Sequence, residues 1–452
     1  MRAIKIQDFR CFKELQFELK PGINLFIGDN ASGKTALMWA CKYAMNCFFS
    51  GFSSIYTSWT TPNRDDYRQV FTGEKKLSPD PINISFDFYA DEMPDAGVFS
   101  LRDISLTLYK RYGKNSRPWI TPLMGLRDYG VFLSRNQITG IEENEGEYIQ
   151  PYELPLIASF STHGIHNNNN KKIDPKFFLE YGQSPDFGYY MCHSTDGLLS
   201  HWIKRLLILK EADHNPVERE IVINALKSFF GDDGCDIMTD FDVRVNLKEV
   251  VCRFKDNREI PVSLLSDGYK RLFSIVLDIA FRCALLNSLK FGRRAASLTH
   301  GTVIIDEIDQ HLHPSLQAIV LKAFKLTFPN IQFIASTHAP MVMSGVESDE
   351  RNQVILMKFD EGNQSYSIEN AYTYGMDMST LTKVVLGLPS RNVEVEMELN
   401  KLSCMIDDGN LDDAKQLLYE LKERFENRIP ELSGMETEIA LEETFNGSDR
   451  EE

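Results

Sequence analysis

The chain has 452 residues, 43% of them hydrophobic and 25% charged, and a formal net charge of −16. This is globular composition with length for a large core, and its acidity argues against a general nucleic-acid coat protein. No run of eighteen apolar residues occurs, which argues against a membrane span, and the scattered cysteines, with no CxxC pair, suggest neither a zinc nor a disulfide framework. Reduced thiols, and an N-terminal MRAIKIQDFRCF that reads as a strand and not as a signal peptide, give a cytoplasmic expectation.

Ala3 to Ile6 and Leu15 to Leu19 alternate loosely as strands, joined through an F-R-x-F turn in which Arg10 is a candidate to approach a ligand. Ile23 to Ile27 is a short apolar strand, and Thr35 to Cys47 reads as a buried helix. Between them lies Gly28-Asp29-Asn30-Ala31-Ser32-Gly33-Lys34-Thr35, which matches G-x-x-x-x-G-K-[ST] in the strand–loop–helix context that a P-loop requires. Glycines let the backbone wrap a phosphate, and the N–H groups and helix N-terminus supply partial positive charge. Asn30, Ala31, Ser32, Gly33, Lys34 and Thr35 are therefore candidate nucleotide-binding residues, with Lys34 on the β- and γ-phosphates and Thr35 on Mg²⁺.

Ile82 to Tyr89 and Ile104 to Tyr109 read as antiparallel strands, and residues 113–151 as a loop-rich insertion. Lys110, Arg111, Lys114 and Arg117 form a small basic cluster there, and Gln137 is a candidate lateral-loop glutamine. Leu154 to Phe160 is another apolar strand. From about Tyr189 to Phe230 the pattern is helical, strands follow around Val243 to Phe254, and a long helix runs from Asp267 to about Leu289. That helix opens with Leu265-Ser266-Asp267-Gly268-Tyr269, which resembles the ABC signature LSGGQ with Asp267 in place of the first glycine and Tyr269 in place of the glutamine. Ser266 and Gly268 at a helix N-terminus suit an anion, although an N-cap serine needs no ligand to explain it.

Lys290, Arg293 and Arg294 form a second basic cluster. The strand Val303 to Ile305 ends in Asp306 and Glu307; Asp306 is placed to hold Mg²⁺, and Glu307 to orient or deprotonate water. In ABC proteins the segment after this strand crosses the dimer interface, and there Asp309 would be the D-loop acid. His311 and His313 lack the further ligands that a metal pair would need. Ile331 to Ile334 leads to His338, at the place where the switch histidine of ABC proteins lies and contacts the γ-phosphate, although a histidine at a strand end needs no ligand to explain it. Beyond Ser390, apolar residues recur at helical spacing in a hairpin with a further helix from Gly434. From Arg391 onward there are 18 acidic and 7 basic side chains, a net −11 that leaves −5 for the rest.

The segments NLFIGDNASGKTALMWA, LLSDGYKRL, VIIDEIDQHLHPSLQ and NIQFIASTHAP resemble the RecF/SMC-like branch of ABC ATPases, and more narrowly the AAA family ATPases of Septu-type and retron-associated antiphage defence systems. The resemblance covers residues 1–50 and 260–450. It implies an α/β fold: an ABC-ATPase head with a P-loop mixed sheet, an antiparallel β lobe and a helical signature lobe, plus a small C-terminal helical extension. The expected domains are 1–390, divided as 1–160, 161–260 and 261–390, and an acidic extension, 391–452. It also implies ATP and Mg²⁺ as ligands, Glu307, Lys34 and His338 as catalytic residues, Ser266 and Gly268 acting on a nucleotide held by the other subunit, and a homodimer or higher oligomer.

No set of residues after His338 suits a Toprim nuclease, and no histidine remains for an HNH site, so a separate effector nuclease is the expected partner. The acidic tail offers a docking surface or serves only as a solubilising end. The alternative is a RecF/SMC-like DNA-repair ATPase that binds nucleic acid directly through the basic clusters. A coiled-coil arm is absent, and the F-R-x-F turn, the Leu-His-Pro segment and the tail point away from a transporter subunit.

Overall fold

The computed structural model describes the chain except residues 54–55, 57–58, 73, 78–79, 90–98, 100, 109–117, 122–124, 138, 142–147, 162–183, 194–197, 212–214, 390 and 449–452. Two compact units result, Met1–Leu381 and Thr382–Glu452.

The first unit is built on a six-stranded sheet in the order Leu156–Phe160, Gly301–Ile305, Ile331–Ser336, Ile23–Ile27, Gln353–Asp360, Ser365–Ala371. The first five strands are parallel and the last is antiparallel. Helices that cover both faces of a parallel sheet leave its strands no solvent side, so they read as continuous apolar runs; Ile23–Ile27, Leu156–Phe160 and Ile331–Ser336 are buried at every position.

A second, antiparallel sheet has the order Phe12–Glu18, Ala3–Phe9, Ile82–Asp87, Ile104–Leu108, Pro118–Thr121. Ile82–Asp87 and Ile104–Leu108 alternate buried and half-buried residues, as strands of a one-sided sheet should. A small three-stranded sheet spans Met238–Pro261. The helices Leu199–Glu211, Pro216–Phe230 and Asp267–Phe291 form the helical lobe. By length and composition Asp267–Leu298 could cross a membrane, but 83% of its apolar window is buried in the core. Inside that helix Asp278 accepts from Trp202 Nε1 at 2.6 Å and pairs with Arg282 at 2.6 Å, both charges being fully buried.

The region expected to be loop-rich contains the helix Leu126–Arg135. Leu126, Tyr129, Gly130 and Leu133 recur at helical spacing, and Gly130 permits close approach: a Cβ there would lie 2.6 Å from the Phe48 carbonyl.

The second unit contains the helices Val393–Asp407, Leu411–Arg424 and Pro430–Ser448 around a core that includes Leu402, Ala414, Leu421 and Leu432. The third helix starts at Pro430, earlier than Gly434, because proline fits the first helical turn.

Candidate nucleotide site

Three functional segments leave the carboxyl ends of three adjacent parallel strands, Gly301–Ile305, Ile331–Ser336 and Ile23–Ile27. Crevices at that edge of an open parallel sheet are where ligands bind. After Ile27 the chain enters the P-loop with Gly28 at φ +141° and Gly33 at φ +95°. A Cβ on Gly28 would lie 2.3 Å from the Met357 carbonyl, and one on Gly33 would lie 2.8 Å from the Phe12 ring, so both positions demand glycine.

Lys34 folds back into the loop. Its Nζ donates to the carbonyls of Gly28 and Asp29 at 2.8 and 2.7 Å and to Ser32 Oγ at 3.1 Å. The residue is only 5% exposed, and burial pushes its amine down to about 8, against the opposing pull of the Asp29, Asp306, Glu307 and Asp309 carboxylates. The P-loop lysine and the acidic turn thus share one electrostatic neighbourhood. Asn30, Ala31 and Thr35 are exposed at its mouth, Ser32 is buried, and Ala31 takes the left-handed φ of 65°. A glycine cradle, a buried ammonium and carboxylates opposite it form a donor set that fits a nucleotide phosphate chain with a divalent cation.

The acidic turn is held from three sides. Asp306 N donates to the Phe160 carbonyl at 2.9 Å, and the Asp306 carboxylate accepts from Ser336 Oγ at 2.5 Å. Ser336 Oγ also accepts from Glu307 N at 2.8 Å, with Glu307 at φ +50°. From the long helix, Arg271 donates to the carbonyls of Asp306 and Glu307 at 2.7 and 2.5 Å. Asp309 Oδ1 accepts from Thr337 Oγ1 at 2.6 Å, and His338 follows, half-buried. Asp306 and Glu307 thus present adjacent carboxylates on a backbone whose position is fixed by neighbouring groups.

Ser266 is the exposed N-cap residue of the long helix, yet its side chain makes no capping hydrogen bond. Gly268 is buried under its own chain: a Cβ there would stand 2.2 Å from the His311 carbonyl. His311 adopts φ +62°, and the His313 ring caps the short helix Pro314–Gln317 by accepting from Ser315 N at 3.3 Å. Among the described residues, no group of three or more His, Cys, Asp or Glu side chains is placed to hold a metal.

Arg10 pairs with buried Asp66 at 2.8 Å and lies over the Trp39 ring at 4.8 Å. Gln137 donates to the Ser134 carbonyl at 3.4 Å. Lys290 donates to the Pro151 carbonyl at 2.5 Å, and Arg293 pairs with Glu220. Lys110, Arg111, Lys114 and Arg117 lie outside the described residues. Sequence reasoning missed Ser336, Thr337 and Arg271. The first two immediately precede His338, and Arg271 lies five residues after Ser266 on one helix, so proximity to recognised motifs was the available signal.

The family model described as "AAA domain, putative AbiEii toxin, Type IV TA system" matches residues 23–344. Vibrio cholerae "Retron Vc95 probable ATPase" is 45% identical over 97 residues, 21% of this chain and 18% of that protein. "Septu protein PtuA" of Bacillus mycoides is 30% identical over 177 residues, 37% of this chain and 22% of that protein. The chain therefore spans less than a quarter of the length of either curated relative. The SMC head domain from Thermotoga maritima aligns at 14% identity over 82% of this chain and 98% of its own, with a TM-score of 0.38. With the family model matched over residues 23–344, this chain belongs to that AAA-domain family, and it is similar over part of its length to a retron probable ATPase and to a Septu protein.

Proposed function

We propose that the chain binds ATP with Mg²⁺ between two copies of itself and hydrolyses it. Its nucleotide state then governs a separate effector nuclease in an antiphage defence complex. The observation that carries the dimer is the split of the site. Lys34, Asp306, Glu307 and His338 follow adjacent strands of one chain, while Ser266 sits exposed at a long helix's N-terminus, its hydroxyl not spent on capping. A hydroxyl with partial positive charge behind it suits a phosphate presented by another copy.

Within one site Lys34 exchanges its carbonyl partners for phosphate oxygens, so its charge faces the ligand where little water competes. Thr35 and Asp306 are the residues that would hold Mg²⁺, which supplies neutralisation of charge on the transferred phosphoryl group. Glu307 orients the attacking water and takes its proton, and His338 and the other copy's Ser266 hold the terminal phosphate. Closure buries nucleotide between copies, so occupancy can act as a switch even at slow turnover. The likeness to a retron ATPase and a Septu protein supports the defence role, and the acidic surplus of the second unit supports docking of a basic partner.

The test is the mass of the purified protein, wild type and Glu307→Gln, with and without ATP·Mg²⁺, alone and co-expressed with its genomic neighbour. ATP-dependent dimers of Glu307→Gln and a co-purifying neighbour support the reading. A chain that stays without a partner and whose turnover is stimulated by DNA replaces it with direct nucleic-acid action.

A further inference from the structure

We infer that Arg271 is a positioning residue that links the two nucleotide sites of the dimer, so that a phosphate seated on Ser266 sets the geometry of Glu307 in that same chain's own site. The inference rests on the composite-site reading above and adds a direction of communication to it. Ser266 and Arg271 lie on the first turns of one rigid 25-residue helix, Asp267–Phe291, and its N-cap. Ser266 faces solvent, whereas Arg271 is 5% exposed and reaches inward.

Its two terminal nitrogens hold the carbonyls of Asp306 and Glu307, the two residues whose carboxylates work in the site. A planar guanidinium grips two successive carbonyls as a fork, which fixes the orientation of the turn as well as its distance. A second contact joins the same helix end to the same turn, because Gly268 lets the His311 carbonyl approach to within 2.2 Å of where a Cβ would stand. The turn between these grips contains Glu307 at φ +50° and His311 at φ +62°, left-handed conformations that are uncommon for residues with a Cβ.

A small shift of the helix N-terminus toward an anion is therefore carried to Asp306, Glu307 and His311 by contacts already in place, with no flexible segment between. Ser336 holds the opposite side of the turn, accepting from Glu307 N and donating to Asp306, so the turn pivots between a fixed strand and a helix that senses the partner's site.

The experiment is hydrogen exchange of the full chain with a non-hydrolysable ATP analogue and Mg²⁺, following residues 28–35 and 306–312, alongside particle mass and steady-state turnover. In wild type both segments gain protection. In Ser266→Arg, residues 28–35 remain protected and 306–312 lose the gain. Arg271→Ala gives the same split while analogue-driven dimers still form, which a merely local defect at the P-loop would not produce.

Arg271→Lys, which keeps the charge but not the fork, guards against a misfolded alanine variant. It is expected to bind analogue within about threefold of wild type and to turn over about tenfold more slowly, a loss in kcat and not in KM. Dimers that form normally while Arg271→Ala and Arg271→Lys keep full protection of 306–312 and full kcat overturn the coupling alone. Wild-type protein that stays monomeric with analogue overturns the composite site and the coupling with it.

Discussion

Ser336 carries two hydrogen bonds with one hydroxyl, donating to the Asp306 carboxylate and accepting from the Glu307 amide. Replacing it with alanine leaves a part-buried amide and a buried carboxylate each short of a partner, at the point where the proposed mechanism places a cation and a water. Ser336→Ala is expected to lower ATP turnover about 10- to 100-fold, as loss of a ligand-orienting partner does, with the fold retained. Unchanged turnover at saturating ATP and Mg²⁺ would remove Ser336 from this role. A serine before Thr-His reads in sequence as one more small polar residue, because its role arises only when two neighbouring strands bring it beside Asp306. Cys11 shows the reverse, a residue whose chemistry is muted by its setting. Its thiol is half-buried beside Gly33, and burial pushes it up to about 11, outweighing the hydrogen bond from Tyr366. At pH 8 very little thiolate is present, so iodoacetamide should label exposed Cys404 well before Cys11, and the Cys11 rate should climb until about pH 11. Peptide mass mapping against time and pH checks this; equal rates at pH 8 would mean an open, ordinary thiol.

At the scale of elements, the long helix raises a conflict between local propensity and tertiary contact. Gly268 lies in its first turn, where alanine is intrinsically better by about 1 kcal/mol. The Cβ of that alanine, however, would stand 2.2 Å from the His311 carbonyl, a backbone atom that cannot swing aside. The contact wins: Gly268→Ala should destabilise the first unit by about 1–3 kcal/mol, read as a lower urea midpoint, and a raised midpoint would show that the turn yields. The same contrast explains what sequence could reveal. The P-loop, the Asp306–Glu307 strand end and the strands around them are written in contiguous residues: short apolar runs ending in glycine or acid. Leu126–Arg135 was hidden because its polar flanks and inner glycine resemble a loop until Phe48 and Phe52 supply the surface that it packs on. Arg271 was hidden because nothing in LSDGYKRL says that its guanidinium turns inward to carbonyls thirty-five residues away.

At the scale of the whole molecule, charge separates the two units more sharply than fold does. In the second unit Lys383, Arg391, Lys415, Lys422, Arg424 and Arg428 are each paired with a glutamate of the same unit. Such exposed pairs add little stability, about 0–1 kcal/mol each, but among the described residues they leave only Lys401 of the unit's basic side chains outside a pair named here. Asp407, Asp408, Asp412, Glu420, Glu438 and Glu442 remain exposed, and the unit keeps a strongly negative surface. A basic partner would be steered to it over about a Debye length, which is about 10 Å at 0.1 M salt and far less at 1 M. If the effector docks here, Asp407→Lys, Asp412→Lys and Glu438→Lys in the full chain should abolish its co-purification. They should leave the unit's core, which includes Leu402, Ala414, Leu421 and Leu432, and the P-loop's ATP binding intact. The wild-type complex should also loosen as salt rises from about 0.1 to 1 M. Retention of the partner by the triple variant at every salt concentration would instead mark the acidic helices as a solubilising end and move the docking surface to the first unit. Loss of both partner and ATP binding would mean that the substitutions disturb more than charge, and circular dichroism of the variant separates that outcome from the expected one.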